Sequence, residues 1–442
     1  MKLTLEEFLE LLRKYNIESL EGIKIEGDLE IEIESDNVDV GTFLASVAHE
    51  LTMAAQHITN ALRLLGYPVE SLPTLPQVPQ PPQPQPVVEK IEEAGAPSLE
   101  LVKAKFTPYK VEYPNAIQEV QLGATKSEGG SREKVVKLGG EKSLPFYLFD
   151  APQPNLPVIS IDIFDRKIPL PKAVREHYGD VMEDPAEWAK KAVKEFGADL
   201  VTVHLISTDP LLDDTPAREA AKVVEEVLQA VKVPLVVGGS GNKEKDPEVL
   251  EKVAEVAEGE RVMLASATLD MDWERIGNAA KKYGHVVLSW TQLDVNSQKT
   301  LNRYLLKKVG LPRDSLVMDP TTAALGYGLD YAFTNMERIR ISGLKGDTDL
   351  AFPISSGTTN AWGVREAWMK ESPLEDESPW GPRELRGPMW EIVTGLTLAL
   401  AGVDLFMMMH PGAVAVLKEV INTLGGKVKE TIEADDWILM EE

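Results

Sequence analysis

The sequence predicts an α/β protein, a (β/α)₈ TIM barrel that carries a small N-terminal α+β module on a proline-rich linker. Three observations lead to this fold class. Eight short apolar runs alternate with amphipathic helical patterns from residue 156 onward. Residues 73–86 contain seven prolines. The 442 residues, of which 43% are hydrophobic, are enough to bury a full core.

The first predicted domain covers residues 1–72. An apolar helical stripe, an alternating hairpin pattern and a second helix that ends at Gly66 make a small core with few aromatic residues, so we expect a docking module. His49, Met53 and His57 recur on the second helix. Because no third hard ligand accompanies them, partner-facing histidines are favoured over a metal site.

The proline-rich stretch at residues 73–86 is predicted to be an extended polyproline II spacer. At about 3.1 Å per residue it would hold two modules roughly 40 Å apart. A surface loop and a docking peptide for a proline-binding module are the alternatives. Residues 87–155 form a mixed, Gly/Pro-rich lead-in segment with short alternating runs such as residues 110–120, and the barrel covers residues 156–442.

The barrel strands are predicted from short, mostly β-branched apolar runs. They are Val158–Phe164, Leu200–Ile206, Leu235–Gly238, Val262–Ser266, Val286–Trp290, Leu316–Met318, Leu350–Ile354 and Val403–Met409. The helices between and after them are Glu187–Phe196, Ala217–Val231, Glu248–Ala257, Trp273–Tyr283, Gln298–Val309, Leu329–Leu344, Met389–Ala401 and Ala413–Leu424.

Several predicted helices begin with a capping residue followed by proline. Asp184-Pro185, Thr215-Pro216 and Asp246-Pro247 each suggest an N-cap before a proline at the first helical position. An open doubly wound sheet is the alternative fold. It is less well supported, because no switch-point glycine fingerprint is present.

Composition excludes several classes of function. The chain has 46 Lys and Arg against 71 Asp and Glu, a net charge of −25, which argues against nucleic acid and anionic membranes as partners. It has no cysteine, so disulfides, thiolate metal sites and cysteine-ligated clusters are excluded. The stretch at residues 392–403 is too short for a membrane span, and residues 1–12 have no basic or apolar leader pattern. We expect a cytoplasmic protein.

Polar residues follow the predicted strands at the end where TIM barrels carry their sites. Candidate cofactor-binding residues there are Asn242, Thr268, Asp319, Thr321, Ser355, Thr358 and Asn360. We expect Asp319 to be hydrogen-bonded by neighbouring groups, because a buried unpaired carboxylate is costly. Gly238–Gly241 is compatible with a phosphate cradle or with a tight turn, since it lacks the Lys and Ser/Thr of a P-loop. No metal site and no catalytic triad is predicted.

Two neighbouring features of the last strand are interpreted separately. Alternation on this strand places Met408 on one side and Met407 and Met409 on the other, which favours core packing of the methionine run. His410 follows them, but none of the six histidines lies in the pattern with which corrinoid proteins supply a lower cobalt ligand.

Six runs at these strand ends closely resemble the delta-subunit family of archaeal acetyl-CoA decarbonylase/synthase complexes, which corresponds to the small subunit of the bacterial corrinoid iron–sulfur protein. They are LVTVHLISTDP (200–210), VPLVVGGSGNKEKDPEVL (233–250), LASATLDMDW (264–273), VMDPTTAALGYGLDYAFTNMERIRI (317–341), SSGTTNAWGVREAWM (355–369) and AGVDLFMMMHP (401–411). The resemblance spans the barrel.

The resemblance implies a TIM barrel that pairs with a gamma subunit, which carries a corrinoid and a 4Fe–4S cluster. The pair would transfer a methyl group between a tetrahydropterin donor and the acetyl-CoA-forming subunit, in a complex with alpha, beta and epsilon subunits. No cofactor is expected on this chain alone, with the corrinoid carried by or shared with the gamma subunit. The absence of cysteine agrees with this division.

Three hypotheses remain open from sequence. The chain is a corrinoid-capping, organising subunit without a complete catalytic centre; or it is itself a pterin-dependent methyltransferase, with Asp319 and Asn242 holding the pterin; or it is a scaffold whose polar strand ends are merely solvated. Whether the barrel binds a pterin, which loops contact the corrinoid, and the partner of residues 1–72 are left undecided.

Overall fold

The computed structural model describes residues 109–369 and 380–427. The predictions for the N-terminal module, for the proline-rich linker and for His49, Met53 and His57 lie outside the described residues, as does the first part of the lead-in segment.

Eight parallel strands close into a barrel in sequence order, with the last strand hydrogen-bonded to the first. This confirms the (β/α)₈ fold and excludes the open sheet. The barrel strands are β3 Val158–Phe164, β4 Leu200–His204, β5 Leu235–Gly238, β6 Met263–Ala267, β7 Val286–Trp290, β8 Leu316–Asp319, β9 Ile354–Gly357 and β10 Val403–Met408, and two shorter strands precede them, β1 Val120–Leu122 and β2 Val136–Leu138.

The position predicted for β9 is wrong by about one strand length. Leu350 and Phe352 are buried, but they pack in the outer core rather than in the ladder. Pro353 has no N–H to donate, and its carbonyl accepts from Met318 at 2.9 Å as the ladder begins. A buried apolar run was therefore mistaken for the strand that starts after it, at Ile354.

Ten α-helices lie among the described residues. They are α1 Lys172–Tyr178, α2 Pro185–Lys194, α3 Ala217–Ala230, α4 Asp246–Val256, α5 Trp273–Tyr283, α6 Val295–Arg303, α7 Leu329–Leu344, α8 Arg365–Trp368, α9 Arg383–Ala401 and α10 Pro411–Leu424. Each predicted helix is present, and α6 continues into a π-helical stretch, Tyr304–Val309, rather than running as one α-helix.

One of the three predicted proline-associated N-caps is confirmed. The Asp184 carboxylate accepts the N–H groups of Ala186 and Glu187 at the start of α2. The other two are wrong. Helix α3 begins after Pro216 with no side-chain cap. Asp246 lies inside the first turn of α4, and its carboxylate accepts the N–H groups of Ser240 and Gly241 instead.

A β-hairpin from the lead-in segment closes the amino-terminal end of the barrel. Strands β1 and β2 pair antiparallel, and Val120, Leu122 and Leu138 are buried in one cluster with inward-facing residues of the barrel strands. Apolar area removed from water is worth about 25 cal/mol per Å², so this plug contributes substantially to the barrel core. The alternating run at residues 110–119 forms no strand.

A buried ion cluster fastens the lead-in segment to the barrel. Arg340 of α7, 1% exposed, donates to Glu141, to the Asp404 carboxylate of β10 and to the Gly402 carbonyl. Its two carboxylate partners belong to the lead-in segment and to the barrel. The guanidinium therefore joins two parts of the chain far apart in sequence.

Candidate functional site

The side chains that face the barrel axis at its carboxyl end follow from the two-residue alternation of the strands. Leu200, Val236 and Met263 lie in the interior cluster, so His204, Gly238 and Ala265, two or four positions later on the same strands, also face inward. Register places His204 beside Gly238, Gly238 beside Ala265, Trp290 beside Asp319, and Asp162 beside Thr202. We call Asp162, His204 and Asp319 the mouth floor.

Asp162 and His204 form the first half of the mouth floor. Asp162 is 3% exposed, and its Oδ2 accepts the Thr359 hydroxyl at 2.5 Å. His204 Nε2 lies 3.4 Å from Asp162 Oδ1, and the imidazole stacks on Phe164 at 5.1 Å between centroids. Apart from this contact with His204, Asp162 Oδ1 has no hydrogen-bond partner among the described residues.

Asp319 forms the second half. Its side chain is 6% exposed and accepts one hydrogen bond, from the Thr321 N–H at 2.9 Å, which confirms the expectation of a neighbouring donor. Burial raises the pKa of Asp319 to about 7. Near neutrality the carboxyl is therefore divided between a form that donates and a form that only accepts hydrogen bonds.

Thr321 continues from the mouth floor in a strained backbone conformation. Its φ of 71° lies in the left-handed region, which β-branched residues rarely adopt. The hydroxyl donates to the Thr291 carbonyl at 2.7 Å and so ties the loops after β7 and β8 together. Thr321 is half-buried, and its hydroxyl proton is already used in the hydrogen bond to Thr291, so this hydroxyl can only accept a hydrogen bond from a ligand.

The candidates on β9 are more buried than the sequence indicated. Ser355 and Thr358 are fully buried. Ser356 joins two hydroxyls, Thr322 at 2.8 Å and Thr358 at 2.9 Å, while Ser355 faces the interior and its Oγ has no partner among the described residues. The structure differs from expectation because β9 ends at Gly357 and the chain turns at once into the 3₁₀ helix Thr358–Gly363.

The remaining candidates lie on the loops around the mouth and are already engaged. Asn360 is exposed and donates to the Thr322 carbonyl at 3.0 Å. The Thr268 hydroxyl donates to Asp270 Oδ1 at 2.6 Å. Asn242 Oδ1 accepts the N–H groups of Glu244 and Lys245, which precede α4, so this side chain orders a loop rather than facing the mouth floor.

The glycine loop after β5 is a tight turn filled by the protein's own carboxylate. The N–H groups of Ser240 and Gly241 donate to Asp246, at 2.9 and 2.8 Å. A Cβ at Gly239 would lie within 2.5 Å of that carboxylate. The backbone donors of a phosphate cradle are thus occupied from within, which favours the tight-turn interpretation.

Near the end of β10, Glu391, which was not predicted as part of this region, contacts the backbone of His410. Glu391 of α9, fully buried, accepts the N–H groups of Met409 and His410 at 2.6 and 3.0 Å, and burial raises its pKa to about 7. His410 Nδ1 accepts from the first turn of α10, and burial together with His177 lowers its pKa to about 4. The sequence offered one indication of its role: Glu391 directly precedes the uncharged run at residues 392–403.

The methionine run behaves as core. Met407 packs in the interior cluster and Met408 in the outer one, as the alternation predicted. Met409, expected on the side of Met407, lies in the outer cluster instead, because β10 ends at Met408. Within residues 109–369 and 380–427, no three His, Asp or Glu side chains are grouped so that they could hold a metal ion. No helix in the described part of the chain is both long and apolar enough to cross a membrane.

Fold and site together define a class: a (β/α)₈-barrel protein whose mouth is lined by hydrogen-bonding groups. The eight barrel strands contain no Lys or Arg. The sequence model of the CO dehydrogenase/acetyl-CoA synthase delta subunit family matches residues 119–372. The chain belongs to this family, as the resemblance at its strand ends indicated.

Relatives cover the chain nearly completely. The acetyl-CoA decarbonylase/synthase complex subunit delta of Archaeoglobus fulgidus is 68% identical over 100% of this chain and 99% of its own length. The subunit delta 2 of Methanosarcina acetivorans is 55% identical over 99% of this chain and 98% of its own.

Among solved structures, the chain is similar to dihydropteroate synthases. The enzyme of Coxiella burnetii in complex with pteroic acid has a TM-score of 0.44 at 11% identity, covering 70% of this chain and 99% of that one. The enzyme of Thermus thermophilus has a TM-score of 0.42 at 16% identity, covering 70% and 100%.

Proposed function

We propose that this chain is the delta subunit of a cytoplasmic acetyl-CoA decarbonylase/synthase complex and pairs there with a gamma subunit that carries a corrinoid and a 4Fe–4S cluster. The pair serves methyl transfer between a tetrahydropterin donor and the acetyl-CoA-forming subunit, and the chain organises the complex. The observation that carries this proposal is the 68% identity, along the whole chain, to a protein named as subunit delta.

The amino-acid composition supports placing the iron–sulfur cluster on the partner rather than on this chain. With no cysteine, the chain cannot supply the thiolates that hold a 4Fe–4S cluster. The cluster therefore belongs on the partner. We expect this chain to lack a complete catalytic centre and to contribute a surface over the partner's cofactor.

The mouth floor fits the polar periphery of a corrinoid. The carboxamide side chains of a corrinoid donate N–H groups, and Asp162 and Asp319 are buried acceptors with spare capacity. A corrinoid supplies the methyl-carrying chemistry when it is bound. Among the original candidates, Asn360 and Thr268 would approach such a ligand from the loops. Ser355 and Thr358 would act behind them, because both are buried.

A second candidate function is methyl transfer from a tetrahydropterin by this chain alone. It is favoured by Asp319, whose buried carboxyl, with its pKa raised to about 7, suits the N–H edge of a pterin ring. Asn242 contributes less than the sequence suggested, because its side-chain oxygen is engaged in its own loop. The third hypothesis, a pure scaffold, assigns no ligand to the mouth floor.

The experiment that tests these functions is purification of the full-length chain alone and together with its cellular partners. The complex should show corrinoid and iron–sulfur absorption, and the isolated chain should be colourless. A colourless complex without a gamma subunit would refute the proposal. Binding of a tetrahydropterin by the isolated chain, measured by calorimetry, would establish the second candidate instead.

A matched pair of variants separates a capping role from a scaffold. Asp319→Asn changes the mouth floor, and Glu183→Gln changes an exposed carboxylate that pairs with Lys167 in the loop after β3. If the mouth floor faces the cofactor, methyl transfer in the reconstituted complex should fall with Asp319→Asn and stay unchanged with Glu183→Gln. Equal rates for both variants and the parent, at saturating partner, would favour the scaffold.

A further inference from the structure

The loop that follows β4 presents two adjacent leucines to solvent at the carboxyl end of the barrel. Leu211 is 91% exposed and Leu212 is 54% exposed. Single exposed apolar residues are common on protein surfaces, but two adjacent leucines raised on one loop form a contiguous apolar projection. We call Leu211 and Leu212 the leucine pair.

The backbone around the leucine pair is held by hydrogen bonds. Asp209 accepts the Leu211 N–H on its side chain at 2.8 Å and the N–H groups of Leu212 and Asp214 on its carbonyl at 2.9 and 3.1 Å. The Thr215 N–H closes the loop onto the Ser207 carbonyl at 2.9 Å. The exposure therefore belongs to an ordered loop.

Ion pairs connect this loop to its neighbours on both sides. Asp213 pairs with Arg166, in the loop after β3, at 3.0 Å. Asp214 pairs with Lys245, in the loop after β5, at 2.5 Å. A projection fixed in this way loses little conformational entropy when it binds, and such preorganised apolar anchors tend to dominate the energetics of an interface.

The charge of the chain indicates the chemistry of what the leucine pair meets. Asp209, Asp213 and Asp214 each lie within two residues of the pair. Arg166 and Lys245 compensate Asp213 and Asp214. This leaves the Asp209 carboxylate without a basic partner among the described residues, and the chain as a whole has a net charge of −25. A second copy would bring the same charges together, which is costly. A partner with an apolar pocket bordered by Lys and Arg is complementary.

We infer that the leucine pair anchors this chain to another protein subunit by inserting into an apolar pocket bordered by basic side chains. The inference rests on the proposed function, in that the chain works within a multi-subunit complex. It adds the place of one contact and the chemistry of the surface that receives it. The acidic residues steer the encounter, and the leucines supply the slow dissociation.

The test uses the full-length chain and the separately purified other subunits of the complex, with binding followed by surface plasmon resonance. Leu211→Ser with Leu212→Ser should weaken binding to one subunit by about tenfold or more, chiefly through faster dissociation. Leu400→Ser, at the other end of the barrel helices and 49% exposed, is the matched control and should leave binding unchanged. Asp213→Asn should slow association and reduce its dependence on salt.

The outcomes distinguish this inference from the proposed function. If the parent chain binds no subunit, the proposed function itself fails. If the parent binds and the double leucine variant binds equally well, the inference is wrong while the function stands. If the variant changes only the self-association of this chain, measured by light scattering, the leucine pair is a contact between copies and the inference is again overturned. Circular dichroism must show that the variant is folded, which an exposed position allows.

Discussion

Replacing Asp319 with asparagine should stabilise the folded chain above neutral pH. Burial raises the pKa of this carboxyl from its ordinary 3.8 to about 7, and one hydrogen bond from Thr321 N–H compensates only in part. Asparagine has nearly the same shape, carries no charge, and can keep that hydrogen bond with its side-chain oxygen. The substitution removes the cost of burying a charge and little else.

The magnitude follows from the difference in proton binding. Between about pH 4 and pH 7 the folded chain holds a proton on Asp319 that the unfolded chain has lost, so the parent's stability falls as pH rises through this interval. Each unit of pKa difference is worth about 1.4 kcal/mol. The advantage of Asp319→Asn should therefore grow from near zero at pH 4 to about 4 kcal/mol above pH 8.

The assay is urea unfolding of parent and variant at half-unit steps from pH 4.5 to pH 8.5. Glu391→Gln is the informative control, because its carboxyl also has a pKa raised to about 7 but both of its oxygens accept backbone N–H groups. A glutamine there would turn an N–H₂ group toward a backbone N–H. We expect this loss, roughly 1–3 kcal/mol, to offset what the removal of charge contributes.

Two results would refute the reasoning about Asp319. One is an Asp319→Asn variant that is less stable than the parent at pH 8, which would mean that the ionised carboxylate is stabilised by groups beyond Thr321. The other is a stability difference that does not vary with pH, which would mean that the carboxyl does not titrate near neutrality in the folded state.

Three further predictions concern the architecture around the site. Deleting residues 1–86 should leave a barrel that unfolds cooperatively. Deleting residues 1–155 should yield an insoluble chain, because this deletion also removes the hairpin of β1 and β2 that fills the amino-terminal end of the barrel. If the chain without residues 1–155 were soluble and unfolded cooperatively in calorimetry, this prediction would be wrong. Arg340→Met should lower the free energy of unfolding in urea by about 3–5 kcal/mol at pH 7, because it leaves the buried carboxylates of Glu141 and Asp404 unpaired. The loss should be smaller at pH 5, where these carboxylates are more easily protonated. A loss independent of pH would count against this account. Thr358→Leu should lower the free energy of unfolding by about 1–3 kcal/mol through overpacking, and Thr358→Val by about 1 kcal/mol through the lost hydrogen bond to Ser356. Equal urea midpoints for the parent and both variants would contradict this.

The strands of the barrel could be predicted because their apolar runs are separated by well-marked helices. The prediction failed at β9, where Phe352 is as apolar as a strand residue but packs outside the ladder. It also missed the hairpin of β1 and β2, because strands of three residues carry too little alternation to be recognised. Which strand ends face the mouth could be predicted, since that depends on the same alternation.

The state of individual site residues could not be predicted, because it depends on how loops fold over the strand ends. Thr358 is buried by a 3₁₀ turn, and Asn242 is engaged by its own loop. The carboxylate of Asp246 fills the glycine loop only because α4 begins one residue earlier than a capped helix would. Such contacts involve a few residues whose sequence permits several arrangements of similar energy.

The electrostatics of the carboxyl end favour one kind of ligand over another. Phosphate-binding barrels present free backbone N–H groups and cations at this end. Here the N–H groups of the glycine loop are taken by Asp246, the barrel strands contain no Lys or Arg, and the mouth floor holds two buried carboxyls. An anion entering this mouth would meet two buried carboxyls on its floor, and where these are ionised in a poorly solvated site the repulsion is strong. A neutral group rich in N–H donors would instead find acceptors already in place. The face is therefore better suited to the amide edge of a neutral ligand than to a free phosphorylated metabolite.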